Sequence, residues 1–406
     1  VWVMMGGAML AAGMSLGEAG DGHAQAMLSL GACLGVATLV GYVGRRHYLS
    51  VLAGMVGYRG SAIMSPTRSC VWAGRLLVLL LAAAVLWLRE AGVHWSLAAT
   101  FVLLTMLMYL VIARVNVETG LIFIQLAFGP ATVLLAWCGF ETLGPGPLLV
   151  LMIANVMVLT DPRQVMLGFA VNSLRLISRA LGGATGIVPR NAPEANRGSF
   201  EASSRRGGDS GGGSVVPWLG VAMVASLFIA VAVTLTTQYQ RGVDTQDWVA
   251  TLLQPAHPFD SVAREITQAR AVGTMANAEA AGGWDWLTVG VWRHPQALAW
   301  TGLGLGLFVA CAALMLRLPW WPIHPVLFVV WGTLPSMWFG WSFLAGWLAK
   351  VVVVRLGGAT LFRRLTPLLI GLIAGEALAA LCWVVVGWTY FVVTGTAPPR
   401  YSILPG

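Results

Sequence analysis

The residues that could do chemistry in this chain are few, and most lie inside or beside long apolar runs. Arg114, Asn116, Glu118 and Gln125 cluster in one short stretch. Arg114 and Glu118 are four apart, so on a helix they share a face and can pair. The chemistry this allows is substrate or proton binding. Glu118 would be the protonatable group, and Arg114 its partner or the anchor for a substrate carboxylate. The competing reading is an ion pair that only fixes helix packing. Glu376 follows Gly371 and Gly375, a GxxxG spacing that lets another backbone come close. A lone carboxylate at membrane depth must be protonated or paired across helices. Glu376 therefore reads either as a proton-coupling group or as a neutral interhelical contact. His324 lies between Pro322-Ile and Pro325, just after Trp320 and Trp321. Pro319, Pro322, Pro325 and Pro335 argue against a regular helix there. Irregular backbone at membrane depth is tolerated only where it is buried or lines a cavity. Trp321 and His324 are thus candidates for a gate or site wall, or for an aromatic anchor at the interface. Lys350 reads as a snorkelling side chain. Asn155 and Asp161 flank a short apolar run and read as helix-terminating residues.

Other constellations are missing. The chain has no Walker A loop, no HExxH, no GxSxG and no paired metal-ligand motif. Its histidines never recur four apart. Cys33, Cys70, Cys138, Cys311 and Cys382 form no CxxC pair, and four of them sit in apolar runs, where Cys behaves as a small hydrophobe. The expectation is a protein that is not an enzyme, with no cofactor and no metal. A membrane-embedded enzyme would need a carboxylate pair in a loop. Asp244 and Asp247 are the one close pair, and they read as solvated.

The elements that must position these residues follow from composition. The chain has 406 residues, 58% hydrophobic and 10% charged, with a mean hydropathy of +0.78. A soluble domain carries about 25% charged residues. The apolar residues come in runs of roughly 17 to 29, and a run of about 20 spans a bilayer. The fold class is therefore all-α, a polytopic transmembrane helical bundle of about ten or eleven spans with Gly/Pro-broken helices. A soluble enzyme, a disulfide-stapled secreted domain, a nucleic-acid-binding module and a β-barrel are excluded. The net charge of +8 comes almost wholly from Arg, and fits cytoplasmic loops facing anionic lipid.

Val1–Gly17 reads as the end of a spanning helix in a chain that lacks its N-terminal part, not as a signal peptide. Further spans cover 24–44, 70–88, 96–113 and 121–140, the last broken at Gly129-Pro130. The run 147–160 is short for a span. Arg163–Leu181 is amphipathic and reads as an interfacial helix. The Gly/Ser/Arg-rich stretch 182–214 reads as a flexible linker between an N-terminal bundle, 1–181, and a C-terminal bundle, 215–406. The latter carries spans at 215–236, 297–316 and 368–393 and a polar extramembrane segment at 237–296. The basic loops 45–68, 163–206 and 355–364 are expected in the cytoplasm. The third agrees only if 326–354 makes a helical hairpin, and a broken or hairpin arrangement is expected there. Two regions, 121–160 and 318–354, are interrupted by Gly and Pro. In secondary transporters such paired breaks mark the substrate site.

Three stretches carry a family resemblance: Gly57-Tyr-Arg-Gly60; Ile112-Ala-Arg114-Val-Asn116-Val-Glu118-Thr-Gly120; and a block that opens with Arg317-Leu-Pro-Trp-Trp321-Pro-Ile-His324-Pro325. That block continues through Trp347-Leu-Ala-Lys350, Arg355-Leu-Gly-Gly358, Arg363-Arg364-Leu-Thr-Pro367 and Gly371-Leu-Ile-Ala-Gly375-Glu376. The chain resembles an uncharacterised family of large bacterial and archaeal membrane proteins, sometimes labelled oligopeptide-transporter-like. The linker at 182–214 is not a feature of that resemblance. The resemblance implies a fold related to transporters that move peptides or metal chelates with protons, with Arg114, Glu118, Trp321, His324, Lys350 and Glu376 at family-matching positions.

The expected function is a proton-coupled secondary transporter of small organic solutes, peptide-like in the resemblance's terms. The alternative is a non-transporting integral membrane subunit that scaffolds a larger complex through 237–296. Its partners would be the lipid bilayer and a small-molecule substrate, not nucleic acid. A homo-oligomer or membrane-complex partner fits either reading. The expected location is the bacterial inner membrane.

Overall fold

A computed structural model describes residues 21–57, 68–119, 124–126, 128–160, 166–180, 215–242, 253–277, 286, 295–318, 321, 323–330 and 333–396. The apolar run 1–17, Asp161, the linker 182–214 and the Asp244/Asp247 pair lie outside the described residues. Among the described residues there are helices and no strands. Among the described residues seven helices are long and apolar enough to cross a bilayer: Ala24–Val56, Cys70–Glu90, Trp95–Thr119, Gly220–Gln240, Pro295–Arg317, Gly340–Gly358 and Thr360–Thr394. The chain is an all-α polytopic helical bundle. It divides into two compact units, residues 1–337 and 338–406.

The first unit begins with α1 (Asp21–Val56), α2 (Arg68–Glu90) and α3 (Trp95–Thr119). The 36 residues of α1 extend about 54 Å at 1.5 Å each. That exceeds the hydrocarbon core of about 30 Å, so α1 carries the basic turn Arg45-Arg46-His47 beyond the apolar layer. The first part of the basic stretch 45–68, expected as a loop, continues α1 to Val56 instead. The end of α1 is satisfied from α2. The Arg75 guanidinium donates from Nε at 3.2 Å and from a terminal nitrogen at 2.9 Å to the Met55 carbonyl. Such terminal carbonyls have no partner within their own helix.

The two apolar runs expected as the fifth and sixth spans are shorter helices. They are α4 (Pro130–Cys138), α5 (Phe140–Leu143) and α6 (Pro145–Asn155), the last followed by a π-helical turn, Val156–Thr160. Gly139 and Gly144, both at φ 75° and ψ 161°, make the corners. That conformation is closed to residues with a Cβ. The nine residues of α4 reach about 13 Å, less than half a bilayer. Its start lies against the end of α6, because a Cβ on Gly129 would overlap the Asn155 amide. α4 and α6 therefore form a hairpin in the centre of the unit, with Leu134, Leu148 and Leu151 fully buried. The break anticipated at Gly129-Pro130 is real: 124–126 ahead of it is not helical.

The amphipathic segment is the helix α7 (Met166–Ala180), which packs on α3. After α8 (Val215–Arg241), the polar segment contains α9 (Gln254–Val272), packed on α6 and the π-helical turn. α10 (Pro295–Arg317) lies along α1, and the single turn α11 (Leu327–Val330) also touches α1. The α1–α10 contact is backbone on backbone. A Cβ on Gly31 would overlap the Thr301 carbonyl, and one on Gly304 the Leu28 carbonyl. Gly35 in turn receives the Phe308 ring. Contacts rising together along both helices make them parallel.

The second unit is built by α12 (Leu334–Thr394) from residue 338 onward. It is not one helix, because Gly358 (φ 66°, ψ −174°) divides it. Of the broken or hairpin arrangement expected within 326–354, the described residues show a broken one. That stretch is one turn, α11, and then the start of α12, with the division four residues further on. No Pro marks the interval from 336 to 366. The division falls instead at the second Gly of Gly357-Gly358.

Replacing Gly304 or Gly31 by Val forces α1 and α10 apart, and overpacking of this kind costs about 1–3 kcal/mol. Gly302→Val, where nothing lies within 4 Å of a new Cβ, is the matched control. Thermal unfolding in detergent should show a lowered midpoint for the first two variants and an unchanged one for the third.

Candidate functional site

Three sequence candidates meet in one cavity of about 380 Å³. Its walls come from α1, from the last turns of α3 and α10, and from His324 and Pro325. Arg114 and Glu118 project from α3 into the cavity and form the ion pair expected from their spacing, terminal guanidinium nitrogen to Oε1, 2.6 Å. The side chains are 50% and 38% exposed, so solvent screens the pair, and such pairs contribute about 0–1 kcal/mol. The pair is also poorly placed as a helix device. Glu118 stands in the last turn of α3, where a carboxylate opposes the helix dipole. Stability is therefore a weak reason for these two residues to be here.

His324 reaches the cavity because the chain after α10 is held back against that helix. The Trp321 indole N–H donates to Cys311 Sγ at 3.4 Å, and the Cys311 thiol donates to the Ile323 carbonyl at 3.3 Å. The Val326 N–H donates to His324 Nδ1 at 3.3 Å. Nδ1 is then an acceptor, and the neutral ring carries its proton on Nε2. Trp321 does not line the cavity; it positions the segment that does.

The remaining wall is apolar: Val36, Val40 and Gly44 from α1, Phe308, Ala312 and Met315 from α10. Tyr48 adds a phenol from α1. Tyr48 was not a sequence candidate, and its signal was available. It falls four residues after Gly44 and eight after Val40, on one helical stripe. The arrangement can hold a small amphiphile, with apolar walls for its body and one cation, one carboxylate and one imidazole for its polar end. Such a size lies in the usual range for ligand sites, about 300–1,000 Å³.

The other candidates lie elsewhere. Asn116 is fully buried on the opposite face of α3, against Gly168 of α7, and neither atom of its amide has a hydrogen-bond partner. Gln125 lies in the non-helical run before Gly129. Neither lines the cavity. Glu376 and Lys350 belong to the second unit, where Glu376 is exposed and Lys350 Nζ lies 5.7 Å from the centre of the Phe362 ring. Among the described residues no three His, Cys, Asp or Glu side chains come together to hold a metal ion.

The chain matches the family described as "Family of unknown function (DUF6785)" over residues 1–185 and 209–405. It belongs to that family. The match passes over 186–208, inside the Gly/Ser/Arg stretch that the resemblance also left out. The cavity residues all fall within the matched segments. The oligopeptide-transporter-like label is not part of the match. No curated protein and no solved structure matches the chain.

Because the Arg114–Glu118 pair is half exposed, Arg114→Gln and Glu118→Gln should each change unfolding stability by less than about 1 kcal/mol. Detergent melts of both variants check this. A loss of several degrees in either would show that the pair holds the fold together.

Proposed function

We propose that this protein is a proton-coupled secondary transporter of small organic anions, peptide-like solutes among them. The observation that carries the reading is the Arg114–Glu118 pair in an otherwise apolar cavity beside His324. An opposite charge beside a group favours its ionised form even where solvent screens the pair, so arrangements that give Arg114 one carboxylate partner are preferred. Two such arrangements exist for one cation. In the first, Arg114 pairs with ionised Glu118. In the second, Arg114 pairs with the carboxylate of a solute, and Glu118 takes up a proton. Loading a carboxylate then loads one proton, and release of one releases the other. Arg114 anchors, Glu118 carries the proton, and His324 Nε2–H donates to the solute's polar end.

The discontinuous helices support the same reading. The half-length hairpin α4–α6, broken at Gly129 and ending in a π-helical turn, is the kind of element that transporters use at midplane sites. The cavity stands toward the end of the bundle that carries Arg45, Arg46 and Arg317, which the positive-inside rule assigns to the cytoplasm. We place the protein in a bacterial inner membrane on that basis, with the cavity open inward.

One observation favours the second reading, a scaffolding membrane subunit. The most apolar stretches of the α8 and α12 spans contain no buried residue, and lipid or another subunit would cover them. The polar segment is a weaker docking surface than its sequence suggests, because α9 already packs on α6.

Uptake by proteoliposomes under an imposed pH gradient tests the first reading. Glu118→Gln should abolish the pH dependence of uptake in a protein that still folds. Uptake unchanged at every pH removes Glu118 from the mechanism. A stoichiometric copurifying partner with no uptake favours the scaffold.

A further inference from the structure

A second cavity, of about 290 Å³, lies at the turn between α2 and α3, the end of α3 away from Glu118. The turn is rigid. Gly92 donates to the Arg89 carbonyl at 3.0 Å and Val93 to the Leu88 carbonyl at 3.1 Å, the paired bonds of a glycine-terminated helix end. Gly92 has φ 96°, and Val93 is 1% exposed. Five residues of fixed backbone therefore set Arg89 and His94 at the edge of one cavity.

His94 is fixed in its protonation pattern as well as its place. Its ring caps α3: Nδ1 accepts from the Ser96 N–H at 3.4 Å and lies 2.8 Å from Ser96 Oγ. The Trp286 indole, which can only donate, gives its N–H to the same Oγ at 2.9 Å. The Ser96 N–H by itself makes His94 Nδ1 an acceptor. With Nδ1 accepting, the neutral ring keeps its proton on Nε2, as a donor. Ser96 and Trp286 are buried, 2% and 3% exposed, so this chain of bonds is shielded from water. Among the described residues no carboxylate lines the cavity, and Arg89 has no ion pair. Leu97 and Leu143 supply apolar wall.

We infer that this turn is a second binding site, for an oxyanion of the phosphate class. The Arg89 guanidinium supplies the charge and the planar pair of donors that match such an anion. His94 supplies a further donor, oriented by Ser96 and Trp286. The spans of α2 and α3 end at Glu90 and begin at Trp95, so the site lies at the depth of lipid headgroups. The anion is either a lipid phosphate or free phosphate, and the two sources can be told apart. The site shares no residue with the Arg114 cavity, so it stands or falls separately from the transport reading.

Calorimetric titration of the full-length protein in neutral detergent tests it, with three probes: inorganic phosphate, dihexanoyl phosphatidylglycerol, and dihexanoylglycerol, which lacks phosphate. The expected result is saturable binding of a phosphate-bearing probe, none of dihexanoylglycerol, and at least tenfold weaker binding in Arg89→Gln. Binding of the phospholipid alone identifies a headgroup site, and binding of inorganic phosphate identifies a free-anion site. His94→Ala carries the same test if Arg89→Gln does not fold. Saturable binding of neither phosphate probe overturns the inference. So does binding by the folded variant that is as tight as wild type, or equal binding of dihexanoylglycerol.

Discussion

The α1–α10 backbone contact is the constraint on which the rest of the Arg114 end depends. Lipid tails are as apolar as Leu, so no hydrophobic force drives two helices together inside a bilayer. Close approach must supply packing instead, and only small residues permit it. Gly31 and Gly304 place carbonyls where any side chain would collide, and Gly35 admits the Phe308 ring. Beyond Phe308 the same two helices become cavity wall, Val36 through Tyr48 on one and Ala312 through Met315 on the other. α3 closes the remaining side and brings in the two charges. The Cys311–Trp321 bond returns the proline-rich chain to α10 and delivers His324. Each polar group of the site is thus referred to a helix that the glycine contact positions.

The charges make sense within that frame. A pair that is half exposed and set at the unfavourable end of α3 adds little to stability, yet it gives the cavity one cation with one carboxylate partner. Exchange of one carboxylate for another at Arg114 preserves neutrality only if a proton moves. The coupling of solute to proton follows from that charge balance and needs no separate device.

The site was partly legible in the sequence, for local reasons. Arg114 and Glu118 are one helical turn apart, so their pairing is a property of any helix through them. The prolines at 319, 322 and 325 announced an irregular segment, and Gly129-Pro130 announced the break before α4. What escaped depends on contacts distant in sequence. Asn116 looked like a companion of Arg114 and Glu118, but a two-residue step turns it to the other face of α3, toward Gly168. Glu376 has no local partner to place it, and it belongs to another unit. The division at Gly358 falls inside the basic stretch 355–364 that the sequence sets between two apolar runs, although no proline marks it. The Trp286 indole is buried against Ser96, 190 residues earlier. No periodicity in either segment could have paired them.

The most direct measurement is the thermal stability of the full-length protein against carboxylate solutes of graded apolar size, peptides included, at two pH values. A ligand at about 100 times its dissociation constant adds about 2.7 kcal/mol. The account predicts stabilisation by carboxylates with a compact apolar body, a pH dependence that vanishes in Glu118→Gln, and no stabilisation in Arg114→Gln. A flat panel, or a shift that Arg114→Gln leaves intact, contradicts it.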